Sequence, residues 1–98
     1  MGPWLVTSNE IANPQNLQLR SWVNGVLKQA ANTRDMIFSV ARTIAILSRG
    51  MTLEPGDIIA TGTPAGVGFA RTPPEFMKYG DIVECEIAEI GRIKNRIV

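Results

Sequence analysis

A chain of 98 residues with 45% hydrophobic and 19% charged side chains is at most one modest domain, able to bury only about 60 to 70% of its unfolded surface. Ten basic against nine acidic groups, spread along the chain for a net charge of +1, leave no basic stripe for nucleic acid and no acidic tail for a cationic partner. One cysteine and no histidine exclude an internal disulfide, a His-Cys zinc set and a His-dependent triad, and they point to a reducing, cytoplasmic setting.

The apolar runs are too short to span a bilayer, and Met1-Gly2-Pro3-Trp4 has neither the charge nor the apolar core of a secretory signal, so no membrane partner is expected. Trp4-Leu5-Val6-Thr7 reads as a short strand, and Leu17-Gln18-Leu19-Arg20 alternates as a strand does after the Asn13-Pro14-Gln15-Asn16 loop. Asn24-Gly25 is the strongest local signal. Both residues tolerate the positive φ of a type I′ turn, so Trp22-Val23 and Val26-Leu27 are expected to pair.

From Ile37 to Leu47 the period changes. Ile37, Val40, Ile44 and Leu47 fall on one helical stripe, with Ser39 or Asp35 as the alternative N-caps and Arg49-Gly50 at the end; this helix is expected to cover one side of a sheet. Pro55-Gly56 predicts a type II turn leading through Asp57 into a short buried strand, Ile58-Ile59-Ala60. Tyr79-Gly80-Asp81 echoes that turn. Ile82 to Ile90 alternates, with Val83, Cys85 and Ile87 on one face and Glu84, Glu86 and Ala88 on the other; after Gly91, Ile93, Asn95 and Ile97 form a further strand. Several strands around one helix make an α+β fold with a mainly antiparallel sheet.

The chemistry concentrates in Thr61-Gly62-Thr63-Pro64-Ala65-Gly66-Val67-Gly68-Phe69. Backbone N–H groups and two hydroxyls there can face a carboxylate or phosphate, or the run can be a purely structural turn. It is no Walker loop, since no lysine follows the glycines, and no dinucleotide fingerprint. Thr63 is its sharpest candidate, beside the φ-fixing Pro64. Glu84 and Glu86 share a strand face and could offer oxygens to a hard cation, but a solvated acidic face explains them as well. Cys85 lies on the apolar phase and reads as a packed, inert thiol, while Lys28, Lys78 and Lys94 read as solvated.

Taken together, Gly2-Pro3-Trp4, Pro14-Gln15-Asn16-Leu17, Val23-Asn24-Gly25, Asn32-Thr33, Met36-Ile37-Phe38-Ser39, Ser48-Arg49-Gly50, Leu53-Glu54-Pro55-Gly56-Asp57, Thr61 to Gly68, Pro73-Pro74 and Gly80-Asp81 form a specific pattern. On these motifs the whole chain resembles the C-terminal part of the fumarylacetoacetate hydrolase family, especially its 2-hydroxyhepta-2,4-diene-1,7-dioate isomerase-like and acylpyruvase-like members.

The resemblance implies a partial mixed β-roll with largely antiparallel hairpins and one main helix, taken from a protein that is often a homodimer. It also implies hydrolase, isomerase or decarboxylase chemistry on small 2-oxo or enolic carboxylates, assisted by Mg²⁺ or Mn²⁺. In the family a Glu-x-Glu pair and a separate aspartate hold the metal, upstream of the matched segment. Residues 1–98 are therefore expected to be the C-terminal portion of a catalytic domain without its metal-binding portion, with no metal ligand of their own and inactive alone. Thr63 matches the family's substrate-contacting threonine, with Gly62, Pro64, Gly66 and Gly68 as loop-shaping neighbours, and no catalytic residue is assigned. A metal-independent small-anion module and an oligomerising structural remnant are the alternative readings.

Overall fold

The computed structural model describes residues 2–98. Its centre is a four-stranded antiparallel sheet of order β2-β1-β3-β4, built from β1 (Gln18–Val23), β2 (Val26–Asn32), β3 (Ile82–Ile87) and β4 (Gly91–Arg96). One helix, α1 (Val40–Leu47), makes the fold α+β: two hairpins joined edge to edge, forming an open, partial roll.

The first hairpin forms where the local chemistry demands it. Asn24 and Gly25 take φ of 51° and 78°, the paired positive values of a type I′ turn. Asn24 then does more than turn the chain. Its Nδ2 donates to Asp81 Oδ1 at 2.9 Å and its Oδ1 accepts from the Ile82 N–H at 2.9 Å, fastening the first hairpin to the start of β3.

Pro55-Gly56-Asp57 and Tyr79-Gly80-Asp81 adopt the same geometry. Gly56 and Gly80 sit at φ 101° and 89°, and the N–H of each aspartate donates to the carbonyl three residues back at 3.1 Å. Each carboxylate in turn accepts from the backbone N–H of that same residue, Glu54 at 2.8 Å and Lys78 at 2.7 Å. Both aspartates are thus turn residues.

Ser39 is the N-cap of α1, its Oγ accepting from the Arg42 N–H at 3.2 Å, while Gln15 Oε1 accepts from the Val40 N–H at 2.8 Å. Asp35 instead closes a capping box around the 3₁₀ turn Thr33–Asp35. Ile37 lies outside the helix at 93% exposure, so the stripe begins a turn later than its spacing suggests.

Three expectations are corrected. Trp4-Thr7 and Ile58-Ala60 are not strands, because a strand exists only with a partner ladder and none of the described residues supplies one. Ile58 is accordingly 72% exposed instead of buried. The helix makes no extensive contact with the sheet and covers neither of its faces. The strand expected to run to Ile90 stops at Ile87, where Glu89 at φ 68° begins the reversal that pairs Ile87 with Gly91.

Leu17 is the one buried hydrophobic side chain among the described residues. The radius of gyration, 15.3 Å, exceeds the roughly 12 to 13 Å of a compact domain this long. This chain therefore carries faces that it does not cover.

Candidate functional site

The glycine-rich loop is docked on β2 at an irregularity. Ser21 pairs with Gln29 and Trp22 with Leu27, so Lys28 is an extra residue in the ladder. Its freed carbonyl accepts from Arg71 Nη2 at 2.6 Å, and Arg71 Nε donates to Gly66 O at 3.2 Å. The loop comes closest at Gly66, φ 107°, where an added Cβ would run into the Lys28 carbonyl and reach Gln29 Cγ at 3.0 Å. Gly68 is equally confined: a Cβ there would strike the carbonyl of Glu75, whose N–H donates to Gly68 O at 2.9 Å.

Of the loop-shaping set, Gly66 and Gly68 are needed for close approach, and Gly62 for its φ of 90° in open space. Pro64 presents its carbonyl to Gln29 Nε2 at 2.9 Å. Thr63 stands exposed at the outer end of the loop, its Oγ1 accepting from the same Gln29 Nε2 at 2.9 Å. Among the described residues the Thr63 hydroxyl hydrogen has no acceptor and Thr61 takes no part in the network.

Behind the loop, Lys28 pairs with Glu75, and Arg71 Nη1 lies 3.9 Å from Glu75 Oε1. The Lys28 side chain is 21% exposed, so the solvated reading gives way to a half-buried ion pair. The Glu75 carboxyl is held below its ordinary value by the hydrogen bond from Lys28, against some burial, with the charges of Lys28 and Arg71 adding to it. Asp81 is lowered too, first by the Asn24 side chain and then by the Lys78 N–H.

Glu84 and Glu86 turn toward Arg92. Its Nη2 lies 2.8 Å from Glu84 Oε2 and its Nη1 3.9 Å from Glu86 Oε2, while the guanidinium stacks 4.3 Å from the Trp22 ring. This is a cross-strand charge cluster, and it replaces both the solvated-face and the cation reading. No three His, Cys, Asp or Glu side chains among the described residues are grouped to hold a metal, so the cation that the resemblance implies does not fit this chain's own residues. Cys85 is exposed, contrary to the packed thiol expected of it: the apolar phase of β3 is real, but nothing here lies over it.

Reading the sequence missed Gln29 and Arg71. Neither belongs to a motif of its own; Gln29 reaches the loop by a contact 34 positions along the chain, which no periodicity announces.

The fold is an α+β partial roll whose glycine-shaped loop presents the exposed Thr63 beside β2. Residues 1–98 match the profile described as fumarylacetoacetate (FAA) hydrolase C-terminal, and the chain belongs to that family. It is 51% identical over 98 residues to the rat oxaloacetate tautomerase Fahd2a, mitochondrial, covering 100% of this chain and 31% of the rat protein. It is 50% identical over 97 residues to the oxaloacetate tautomerase YisK of Bacillus subtilis, covering 99% of this chain and 32% of that protein. Among solved structures it resembles the maleylpyruvate hydrolase of Sphingobium sp. SYK-6 in complex with manganese(II) and pyruvate, with TM-score 0.88 and 42% identity, covering 99% of this chain and 34% of that one.

The chain thus spans about a third of the length of the relatives it matches. The relatives are enzymes, and this chain shares their ancestry. The cytoplasmic expectation is corrected by the rat, bovine, frog and human tautomerases, whose names place them in mitochondria. Cysteine count and composition carried no information here, since both compartments keep thiols reduced. No helix among the described residues is long and apolar enough to cross a membrane.

Proposed function

We propose that residues 1–98 are the substrate-side portion of a catalytic domain acting on small 2-oxo or enolic carboxylates, with Thr63 donating its hydroxyl hydrogen to a substrate oxygen. The observation that carries this reading is the Thr63 hydroxyl itself, exposed, with its oxygen engaged by Gln29 and its hydrogen left without an acceptor among the described residues. Oxaloacetate in the names of the rat and Bacillus relatives, and pyruvate in the Sphingobium complex, are both 2-oxo carboxylates and support the substrate class.

Such a substrate offers two kinds of acceptor. Its carboxylate carries full charge, and its oxo oxygen gains charge as the compound enolises; a fixed donor beside either one is most effective where charge develops. The left-handed backbone at Gly62 lets the loop turn immediately before Thr63, whose exposed hydroxyl is held by Gln29 of β2.

A divalent cation, when bound, stabilises enolate charge in such chemistry. Manganese in the Sphingobium complex supports one for the complete domain, held by residues outside this chain. The same reading assigns the uncovered apolar side chains Phe69, Phe76 and Met77 to contacts with the remainder of a homodimeric protein.

The test is a chimera in which these 98 residues replace the corresponding third of the Bacillus relative. It is expected to tautomerise oxaloacetate, while the 98-residue chain alone does not. Thr63→Val in the chimera is expected to lower kcat/KM by about 100-fold. An inactive chimera, or one indifferent to that substitution, overturns the reading.

A further inference from the structure

We infer that Gln29 is the positioning residue that makes Thr63 a hydrogen-bond donor toward substrate, an inference that rests on the substrate-contact reading of Thr63. Pro64 O can only accept a hydrogen bond, so the Gln29 NH₂ must face the loop, where Nε2 lies 2.9 Å from it. The other hydrogen of the same nitrogen goes to Thr63 Oγ1 at 2.9 Å. On the far side, Ser21 Oγ donates to Gln29 Oε1 at 2.9 Å, which fits that orientation.

A hydroxyl has one hydrogen and two lone pairs. With Gln29 donating into one lone pair, Thr63 cannot spend its own hydrogen on Gln29. It is left to give that hydrogen to an oxygen arriving from solvent. Donation into Oγ also polarises the O–H outward, in the direction that favours an anionic acceptor. Gln29 therefore favours ligands that present a carboxylate or enolate oxygen to the Thr63 hydrogen.

Gln29→Glu keeps the size of the side chain and reverses this logic. A carboxylate cannot donate to Pro64 O or to Thr63 Oγ; it accepts the Thr63 hydrogen instead and adds a negative charge beside the site. In the oxaloacetate-active chimera, Gln29→Glu is expected to raise KM about tenfold or more while kcat stays within about twofold, the pattern of lost binding in ground and transition states alike. Adding Gln29→Glu to Thr63→Val is expected to cost clearly less than Gln29→Glu costs alone, because only the repulsion of the added charge remains once the hydroxyl through which Gln29 acts is gone.

The outcomes separate cleanly. An active chimera that responds to Thr63→Val but not to Gln29→Glu overturns this inference and leaves the functional reading standing. A full additional loss in the double variant also overturns it, since the added charge or the packing of Gln29 against Gly66 would then be the cause. A chimera inactive from the start, or unresponsive to Thr63→Val, overturns the functional reading and this inference with it. A raised KM in the single variant and a clearly smaller further loss in the double variant supports it.

Discussion

Gly66 lies against the carbonyl of Lys28, so close that no β-carbon fits between them, and the contact sits where β2 carries its extra residue. The loop and the strand are therefore matched to each other through backbone atoms. Side chains only secure what that contact begins.

Gly66→Ala is expected to undock the loop. The left-handed φ of 107° alone costs an alanine about 1 to 2 kcal/mol, and the collision with Lys28 O cannot be relieved by a rotamer change because it involves backbone. Gly62→Ala, at φ 90° but in open space, should cost only the conformational part. Amide hydrogen exchange over residues 61–71 distinguishes them: faster exchange in Gly66→Ala than in Gly62→Ala is expected, and equal exchange would refute the backbone argument.

Acid should loosen the two junctions that rely on lowered carboxyls. The folded values of Glu75 and Asp81 lie below their ordinary values of 4.5 and 3.8. Their contributions are therefore fully present above those ordinary values and fade as pH falls through the folded ones. Asn24→Gly keeps the positive φ but removes the side-chain hydrogen bond that chiefly lowers Asp81, so the Asp81 carboxyl should titrate closer to 3.8. A carboxyl-carbon NMR titration reads this directly, and an unmoved Asp81 midpoint would contradict it.

Manganese should find no home on β3. Arg92 already occupies the oxygens of Glu84 and Glu86, so adding Mn²⁺ to the 98-residue chain should not broaden the NMR signals of these residues beyond those of other surface acids. Arg92→Ala removes the cation that balances the pair, leaving two carboxylates on one strand face, and is expected to increase local broadening. Selective broadening in the unaltered chain would restore the metal reading.

Cys85 should react with a maleimide within minutes in the 98-residue chain, because its side chain is exposed. In the chimera, the remainder of the domain is expected to lie over Val83, Cys85 and Ile87 and to slow labelling by at least about tenfold. Equal rates would show that this sheet face stays open in the longer protein.

What could be read in advance follows the range over which each choice is made. Asn24-Gly25 and Ser39 declare themselves because positive φ and an N-cap hydroxyl act on neighbouring atoms. The resemblance carried by the motifs around Thr61 to Gly68 also identified the family. Gln29 did not declare itself, because its bonds cross 34 and 35 positions. Ile58-Ile59 and the Val83-Cys85-Ile87 face show the converse. Apolar spacing states that a surface needs covering, without stating that the cover lies within the same 98 residues.

The extra residue at Lys28 has an evolutionary consequence. Removing Lys28 would leave a regular hairpin with Gln29 still opposite Ser21, yet the freed carbonyl that accepts from Arg71 and lies against Gly66 would be lost with it. Descendants of this sequence can thus exchange the identities of Val26 and Leu27 with modest effect. Loss of the Lys28 codon would take away the backbone contact on which the loop docks, so the spacing between the Asn24-Gly25 turn and Gln29 is heritable information in its own right.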